Sequence, residues 1–489
     1  MNQAARIRWN SLFSLLSSGI RLVTNVFLFL GLARFYGPEA FGQFTTAHTL
    51  ATLFLVLADF GLDVLFTTEV ARQRDQAGQL FHRFAAVKLL LAIGAMAGMC
   101  VLPMAHDFSP VTRWLIYIFS LSVIFNAAAN FLYALFRGFE QLRHETLGTF
   151  IANLLLLLAL ILLGVLRAPI AALAFLFVGT RALALALAAV NATRFIKLQI
   201  PSFNLGECLA VMKKAWTFGL HLIFEISYFQ LDTLLLSLWQ GDYAVGIYQS
   251  VMKLVFLVLV LPDVGINALL PALARYYAED KQKWAWLGEL LNRTLWLLAL
   301  PFALVFIVYA EPVIRLLYGL RDYAPAVPLM RVAGGIILVR FAFATYGPIL
   351  MTSGRQRSRM FIMMIATFIS IGFNAYAIPR YGSYGAICVS LIANFFVAMA
   401  FFASERVLFA RWTINVRHLV PAILMLALGA LLWHTPLLPY WFGIILMLAF
   451  YVLIVYFVGY SKAEWRMIMG GALHPLDDVI KTQDQSGDR

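Results

Sequence analysis

The chain has 489 residues, 62% of them hydrophobic and 12% charged, with a mean hydropathy of +0.84. Soluble domains keep about a quarter of their residues charged, so this composition excludes a water-soluble globular protein. The net charge of +13 does not mark a nucleic-acid binder, because the basic residues sit in small groups between apolar runs rather than in one patch.

A membrane-spanning helix needs about 20 apolar residues, and the segment from Asn153 to Leu166 is apolar on every face, unlike a barrel strand with its dyad alternation. Fourteen spans are predicted, at 11–33, 43–66, 84–105, 114–136, 145–166, 169–193, 215–239, 245–272, 294–311, 325–352, 359–379, 383–404, 418–435 and 440–460. The expected fold is therefore all-α and polytopic, with about 14 transmembrane helices. Arg6 and Arg8 precede the first apolar run as in a signal peptide. No small-residue cleavage site follows, and Arg21 interrupts the run, so a first transmembrane helix is expected.

With both termini placed in the cytoplasm, the inner segments hold 25 of the 37 Lys and Arg residues and the outer loops 7. This is a positive-inside bias. Glu311 to Val327, the longest outer connection, is half apolar and is expected to form a short amphipathic segment. No connection is long enough to house catalysis. Cys100, Cys208 and Cys388 spell neither a disulfide framework nor a metal cluster. No nucleotide-binding loop is present and no cofactor is implied.

The sequence repeats itself. Gly37, Gly42, Asp59, Gly61 and Arg72 recur as Gly241, Gly246, Asp263, Gly265 and Arg275, and LFRGFEQLRHETL after span 4 is echoed by LMTSGRQRSRMFI after span 10. Spans 1–6 and 7–12 then form two pseudo-symmetric six-helix lobes of equal orientation. The expected domains are 1–200, 201–405, a C-terminal helix pair at 406–460 and a cytoplasmic tail at 461–489.

The motifs RFYGPEAFGQFTTA, ADFGLDVLFTTEVAR, RGFEQLRHE, LLYGLRDYAPAVPLMRVAGG, SGRQRSR and IPRYGSYGAICVSLIAN stand in the order and spacing of a known superfamily. The chain resembles the polysaccharide-biosynthesis transporters of the multidrug/oligosaccharidyl-lipid/polysaccharide exporter superfamily, particularly the Wzx-type O-antigen flippases. The resemblance implies two lobes around a central cavity in the bacterial cytoplasmic (inner) membrane. It also implies alternating-access movement of an undecaprenyl-pyrophosphate-linked oligosaccharide, an O-antigen or exopolysaccharide repeat unit, to the outer leaflet. Membrane lipids, H+ or Na+, and a polysaccharide polymerase are the other expected partners. The alternatives are a lipid II flippase and a cation-coupled exporter of small molecules. A membrane enzyme is disfavoured.

Span 1 carries a polar stripe of Asn10, Ser14, Ser17, Arg21 and Asn25, and span 7 one of Thr217, His221, Glu225, Tyr228 and Asp232. Residues three or four apart share a helix face, so both stripes are expected to line one cavity. Arg181, Lys253 and Arg340 are further charges within spans, and arginine grips phosphate bidentately. With Arg21 they are the candidates for the pyrophosphate that the resemblance implies. Asn25, Asn126, Asn130 and Tyr133 are candidates for sugar hydroxyls and cavity lining. Glu225, Asp232 and His221 are candidates for the coupling ion or proton, and Asp59 and Asp263 for an inner gate. Lys88 is expected to snorkel from the start of span 3. Asp232 and Lys253 lie at matching depth on consecutive helices and are expected to pair. Pro262, Pro348 and the Gly334–Gly335 pair are candidate bends.

The alternating path predicts that Arg74, Arg137, Lys281 and Arg357 face the cytoplasm, whereas Glu39, Asp242 and Arg380 face outward. Single cysteines at these positions, treated in intact cells with an impermeant reagent, should label at 242 and not at 74; the reverse pattern inverts the topology.

Overall fold

The computed structural model describes residues 3–197 and 203–405, together with 420–421, 423–425, 427–428, 431 and 440–456. Most of expected span 13 and the whole of the 461–489 tail lie outside these. The described residues form helices and turns. The helices are α1 (Gln3–Asp59), α2 (Leu62–Arg72), α3 (Ala77–Ala105), α4 (Pro110–Gly138), α5 (Arg143–Val165), α6 (Ile170–Ala192), α7 (Leu205–Glu279), α8 (Lys281–Val308), α9 (Ala310–Leu317), α10 (Leu320–Tyr323), α11 (Ala326–Ala342), α12 (Tyr346–Thr352), α13 (Gln356–Glu405) and α14 (Tyr440–Ile454). Nine helical stretches among them are long and apolar enough to cross a membrane.

Three of the nine are pairs of helices joined at a glycine. Gly37 breaks α1, Gly241 breaks α7 and Gly382 breaks α13, each with non-helical backbone angles. Gly37 and Gly241, equivalent in the repeat, adopt nearly the same pair (φ 77, ψ 176 and φ 80, ψ −176). Only glycine enters that region without strain. The repeat diverges at its next landmark: Gly61 (φ 76) separates α1 from α2, whereas its counterpart Gly265 lies within continuous α7.

α5 shows why these helices suit lipid. Leu147, Phe150, Ile151, Leu154, Leu155, Leu158, Ile161, Leu162 and Val165 are exposed along one face, and Glu145, Thr149, Ala152, Leu156 and Leu160 are buried on the other. An exposed face this apolar would be unstable against water.

By contact the chain divides into two compact units. The first comprises Met1–Leu254, Ile314–Ala326 and Met363–Ser390; the second comprises Val255–Val313, Val327–Ile362 and Leu391–Arg489. Within the first, Phe66, Phe81, Phe84, Phe131 and Phe136 centre a buried aromatic cluster spanning α2, α3 and α4. The connection expected to be amphipathic folds into α9 and α10. There Tyr318 stacks on Tyr323 at 5.1 Å and donates to the Ser250 carbonyl, while Tyr323 donates to the Ala33 carbonyl. Burial raises the Tyr318 phenol above its ordinary range, so it stays a donor.

Within the second unit, Trp284, Trp286, Leu287, Leu291 and Leu295 pack on Ile266 and Leu273. Expected span 10 breaks between α11 and α12, at 343–345, just before Pro348. Proline cannot donate to the carbonyl four residues back and clashes with it, which sets the break there. Gly334 and Gly335 do not break the helix: they lie within α11, where Gly334 makes room for Ile307 and the Ala303 carbonyl. Pro262 likewise sits inside α7 without ending it.

Gly42 and Gly246 pack reciprocally inside the first unit. A methyl group on Gly42 would strike the backbone of Asp242, and one on Gly246 the backbone of Pro38. Backbone cannot swing aside as a side chain can. Gly42→Ala and Gly246→Ala should therefore each lower stability by about 1–3 kcal/mol. The double variant should lose less than both together, since the two share one approach. Thermal melts of the purified variants measure this, and wild-type melting of either single would show that the approach contributes nothing.

Candidate functional site

The charges of α1, α4 and α5 meet at Glu145, in the first turn of α5. That turn is tied to α1 by the Thr146 hydroxyl, which donates to the Phe13 carbonyl at 3.0 Å. A carboxylate is favoured near a helix N-terminus by the helix dipole. Arg137 grips Glu145 with both Nε (2.8 Å to Oε2) and Nη2 (2.6 Å to Oε1). Arg21 donates one bond, Nη2 to Oε1 at 2.5 Å, with a long contact to the Ser17 hydroxyl at 3.4 Å. The Glu145 side chain is 6% exposed and that of Arg21 is 43% exposed.

Lys88 does not snorkel. Its side chain is 4% exposed, with Nζ 2.6 Å from Asp59 Oδ1 and 2.7 Å from Asp63 Oδ1. Two carboxylates on one side of a buried ammonium outweigh the pull of the interface, because the alternative strands two negative charges. Asp59 also accepts from the Asp63 backbone N–H, so it anchors the start of α2. Both acids act electrostatically on Arg137, which links this triad to Glu145.

Arg181 and Lys253 are paired differently. The Arg181 guanidinium lies 4.6 Å from the Phe177 ring centroid, and its Nε is buried with no hydrogen-bond partner. Lys253 Nζ lies 3.8 Å from the Phe29 centroid. Among the described residues neither cation has a carboxylate at ion-pair distance. His48 stands among the same rings, with centroids 5.4 Å from Phe29 and 5.7 Å from Phe177, and feels the charge of both cations. Arg21 and Arg181 also act on one another and jointly on the Tyr133 phenol. Three of the four expected phosphate-binding cations thus share one electrostatic neighbourhood. Arg340 lies in α11, in the second unit, and Asp263 is exposed in the second-unit part of α7.

The expected pair of Asp232 and Lys253 is not made. Asp232 is buried and accepts from four neutral donors: Tyr248 Oη at 3.0 Å, Asn374 Nδ2 at 2.7 Å, Ser370 Oγ at 3.3 Å and the Ser390 hydroxyl. Matched depth gave the level of the two residues but not their azimuth, and hydrogen bonds meet the carboxylate where a cation was expected. Asn374 Oδ1, beside them, is buried with no hydrogen-bond partner. Oxygen sets of this kind suit a proton or a hard cation. No group of three or more His, Cys, Asp and Glu residues that could hold a metal ion occurs among the described residues.

His221 and Glu225, both half-buried, lie one turn apart with Nε2 to Oε2 at 3.2 Å. Asn25 is exposed; Asn126 and Asn130 are half-buried and make no side-chain hydrogen bond to another described residue, which suits a lining. Tyr133 is buried against Gly148. Sequence reasoning passed over two residues, Glu145 and His48. Glu145 sat unread in the RGFEQLRHE motif, and His48 in the polar run Gln43, Thr45, Thr46, His48 and Thr49 of an otherwise apolar span.

Residues 4–277 match the model of a family described as polysaccharide biosynthesis protein, and residues 218–376 match the MatE model. A Shigella dysenteriae protein named for O-antigen transport is 27% identical over 230 residues, 45% of this chain and 56% of that protein, so the likeness spans little more than half of the relative. Among solved structures, the lipid II flippase MurJ in an inward closed conformation aligns with a TM-score of 0.74 at 12% identity, over 94% of this chain and 99% of its own. An inward-facing multidrug resistance MATE transporter aligns with a TM-score of 0.65 at 13% identity, over 80% of this chain and 94% of its own. At such identities the likeness is one of fold. These relatives are transporters, not enzymes.

The separation of Asp232 from Lys253 is measurable. Asp232→Ala leaves buried donors unmet and should cost about 1–3 kcal/mol, whereas Lys253→Ala should melt near the wild type. The charge-swapped double variant should recover nothing; recovery by the swap would restore the ion pair.

Proposed function

This chain belongs to the polysaccharide biosynthesis protein family, within the superfamily that also holds the MATE transporters, and from that premise we propose that it flips a polyprenyl-diphosphate-linked saccharide across the inner membrane. That it is a multi-pass membrane transporter follows from family and fold; the cargo is the step taken here.

The observation that carries it is the pair Arg181 and Lys253. A charge at the bilayer centre costs roughly 2.5–3.5 kcal/mol on insertion scales. Both residues meet part of that cost on an aromatic face rather than a carboxylate, which keeps their charge available. A diphosphate is the ligand such cations fit; Arg21 joins them in this reading, and Arg340, in the second unit, is a separate candidate for the same cargo. Asn25, Asn126, Asn130 and Tyr133 offer neutral groups to sugar hydroxyls. Asp232, with the His221–Glu225 pair beside it in sequence, is the seat of a coupling H+ or Na+. Asp59, through its pair with Lys88, and separately Asp263, in the other unit, are the candidates for gating.

The helix pairs broken at Gly37, Gly241 and Gly382 give twelve crossings from nine stretches, which supports two six-helix lobes at 1–200 and 201–405. The helix Tyr440–Ile454 fits a fourteenth, with both termini cytoplasmic. The lobes would rock about the cationic site while the prenyl tail stays in lipid.

Two cargoes carry this handle. Lipid II is the cargo of a flippase that shares this fold over nearly the whole chain, a likeness of architecture at 12% identity. An O-antigen or exopolysaccharide repeat unit is supported by the Shigella relative over less than half of it. A cation-coupled small-molecule exporter, as in the MATE proteins, fits Asp232 but leaves Arg181 and Lys253 without a purpose.

Arg21→Ala, Arg181→Ala and Arg340→Ala should each cut flipping at least tenfold at unchanged expression. Arg→Lys should restore only part, since a point charge replaces a fork. The assay is protection of labelled lipid II, or of a labelled undecaprenyl-diphosphate oligosaccharide, in proteoliposomes. The lipid that is flipped names the cargo, and unaltered rates in all three alanine variants would refute the cationic site.

A further inference from the structure

We propose that Glu145 is a displaceable counter-ion: it presents Arg21 to the cargo and competes with the anionic head group for it. The proposal rests on the diphosphate reading above and deepens it.

Three carboxylates (Asp59, Asp63 and Glu145) and three cations (Lys88, Arg137 and Arg21) form one internal strip through α1 to α5. Lys88 holds the two aspartates, these act on Arg137, and Arg137 holds Glu145. Arg21 ends the strip. It is bound less firmly than Arg137, through one bond instead of two, although the two side chains are similarly exposed at 43% and 39%.

The asymmetry determines which cation can leave. If Arg21 turns away, Glu145 keeps its two-point contact with Arg137, and no buried charge is stranded. If Arg137 left, Glu145 would keep a single bond and the aspartates would lose a neighbouring positive charge. Arg137 is therefore structural and Arg21 transferable. Glu145 holds the guanidinium where Arg181 and Tyr133 also act, and so orients the group it later yields. A phosphate oxygen taking the place of Glu145 Oε1 exchanges one charge-assisted bond for another. The head group is then held neither too weakly to load nor too tightly to release. Glu145 is a positioning residue, and its role is to weaken binding.

The test uses the full chain in nanodiscs, with geranylgeranyl diphosphate as the probe and thermal melting read alongside. Arg21→Ala should weaken binding at least tenfold and melt within a few degrees of the wild type, whereas Arg137→Ala should melt much earlier. Glu145→Gln removes the competitor's charge and should tighten binding roughly three- to tenfold. That gain should vanish in the Glu145→Gln/Arg21→Ala double variant. If Glu145→Gln does not fold, the melting of Arg21→Ala against Arg137→Ala decides alone: an equal loss in both makes Arg21 a fixed partner and overturns the proposal. Folded Glu145→Gln that binds no tighter than the wild type, while Arg21→Ala binds poorly, overturns it too and leaves the diphosphate reading standing. Failure of the wild type to bind the probe at all removes that reading, and this inference with it.

Discussion

A charge carried on or beside a membrane-spanning helix must find a counter-charge, a polarisable face or water, and the first unit of this protein uses the first two in different places. Lys88, Arg137 and Glu145 are neutralised in place by bonded partners at 2.6–2.8 Å. Arg181 and Lys253 lie against phenylalanine rings, whose quadrupoles stabilise a cation without cancelling it. Much else follows from that division. The ion pairs fix α3 to α1 and α2, and α4 to α5, while the ring-bound cations have no carboxylate at ion-pair distance among the described residues. Packing alone would not separate these roles, since all five residues sit in similarly apolar helices.

The helices themselves were legible in the sequence because membrane spans obey a strong one-dimensional rule: every backbone group must be satisfied within the segment. Spans 4, 5 and 6 were expected at 114–136, 145–166 and 169–193, and the helices run Pro110–Gly138, Arg143–Val165 and Ile170–Ala192. The glycine landmarks of the repeat were also legible, and Gly37 and Gly241 share an uncommon backbone conformation at the expected offset. What the repeat could not convey is divergence. Gly61 ends a helix and Gly265 does not, and nothing in the structure explains that difference.

Side-chain partners were far less legible, for a geometric reason. Periodicity gives the face of one helix and counting gives depth, but pairing needs the azimuth of two helices at once. Lys88 illustrates this: its place at the start of a span suggested an interfacial head group, and only the return of α1 and α2 beside α3 brings Asp59 and Asp63 within reach. Asp232 failed in the opposite sense. Its partners come from Tyr248 and from residues 138 to 158 positions away, and no local pattern relates them. Arg21 stood out as a candidate because a mid-span arginine is rare whatever its neighbours. Glu145 was not, because at the edge of a span a glutamate is unremarkable until two guanidinium groups are found on it.

The contrast between Asp232 and Glu145 bears on how one fold can serve different cargoes. Both are buried acids in the first unit, yet one is held by neutral donors and the other by two cations. Neutral hydrogen bonds leave a full negative charge to be met by a proton or a small cation, so such a site responds to ions. A carboxylate between two guanidinium groups is already over-neutralised, and what can change there is which cation it holds. In the function proposed here, an anionic lipid head group would act at Arg21, and an ion gradient would act at Asp232. Arg21 and Asp232 lie on repeat-related helices, α1 and the first part of α7. Related helices thus carry opposite charge in the two halves, at different positions along the repeat: the offset of 204 residues pairs Arg21 with Glu225, and Asp232 with Leu28.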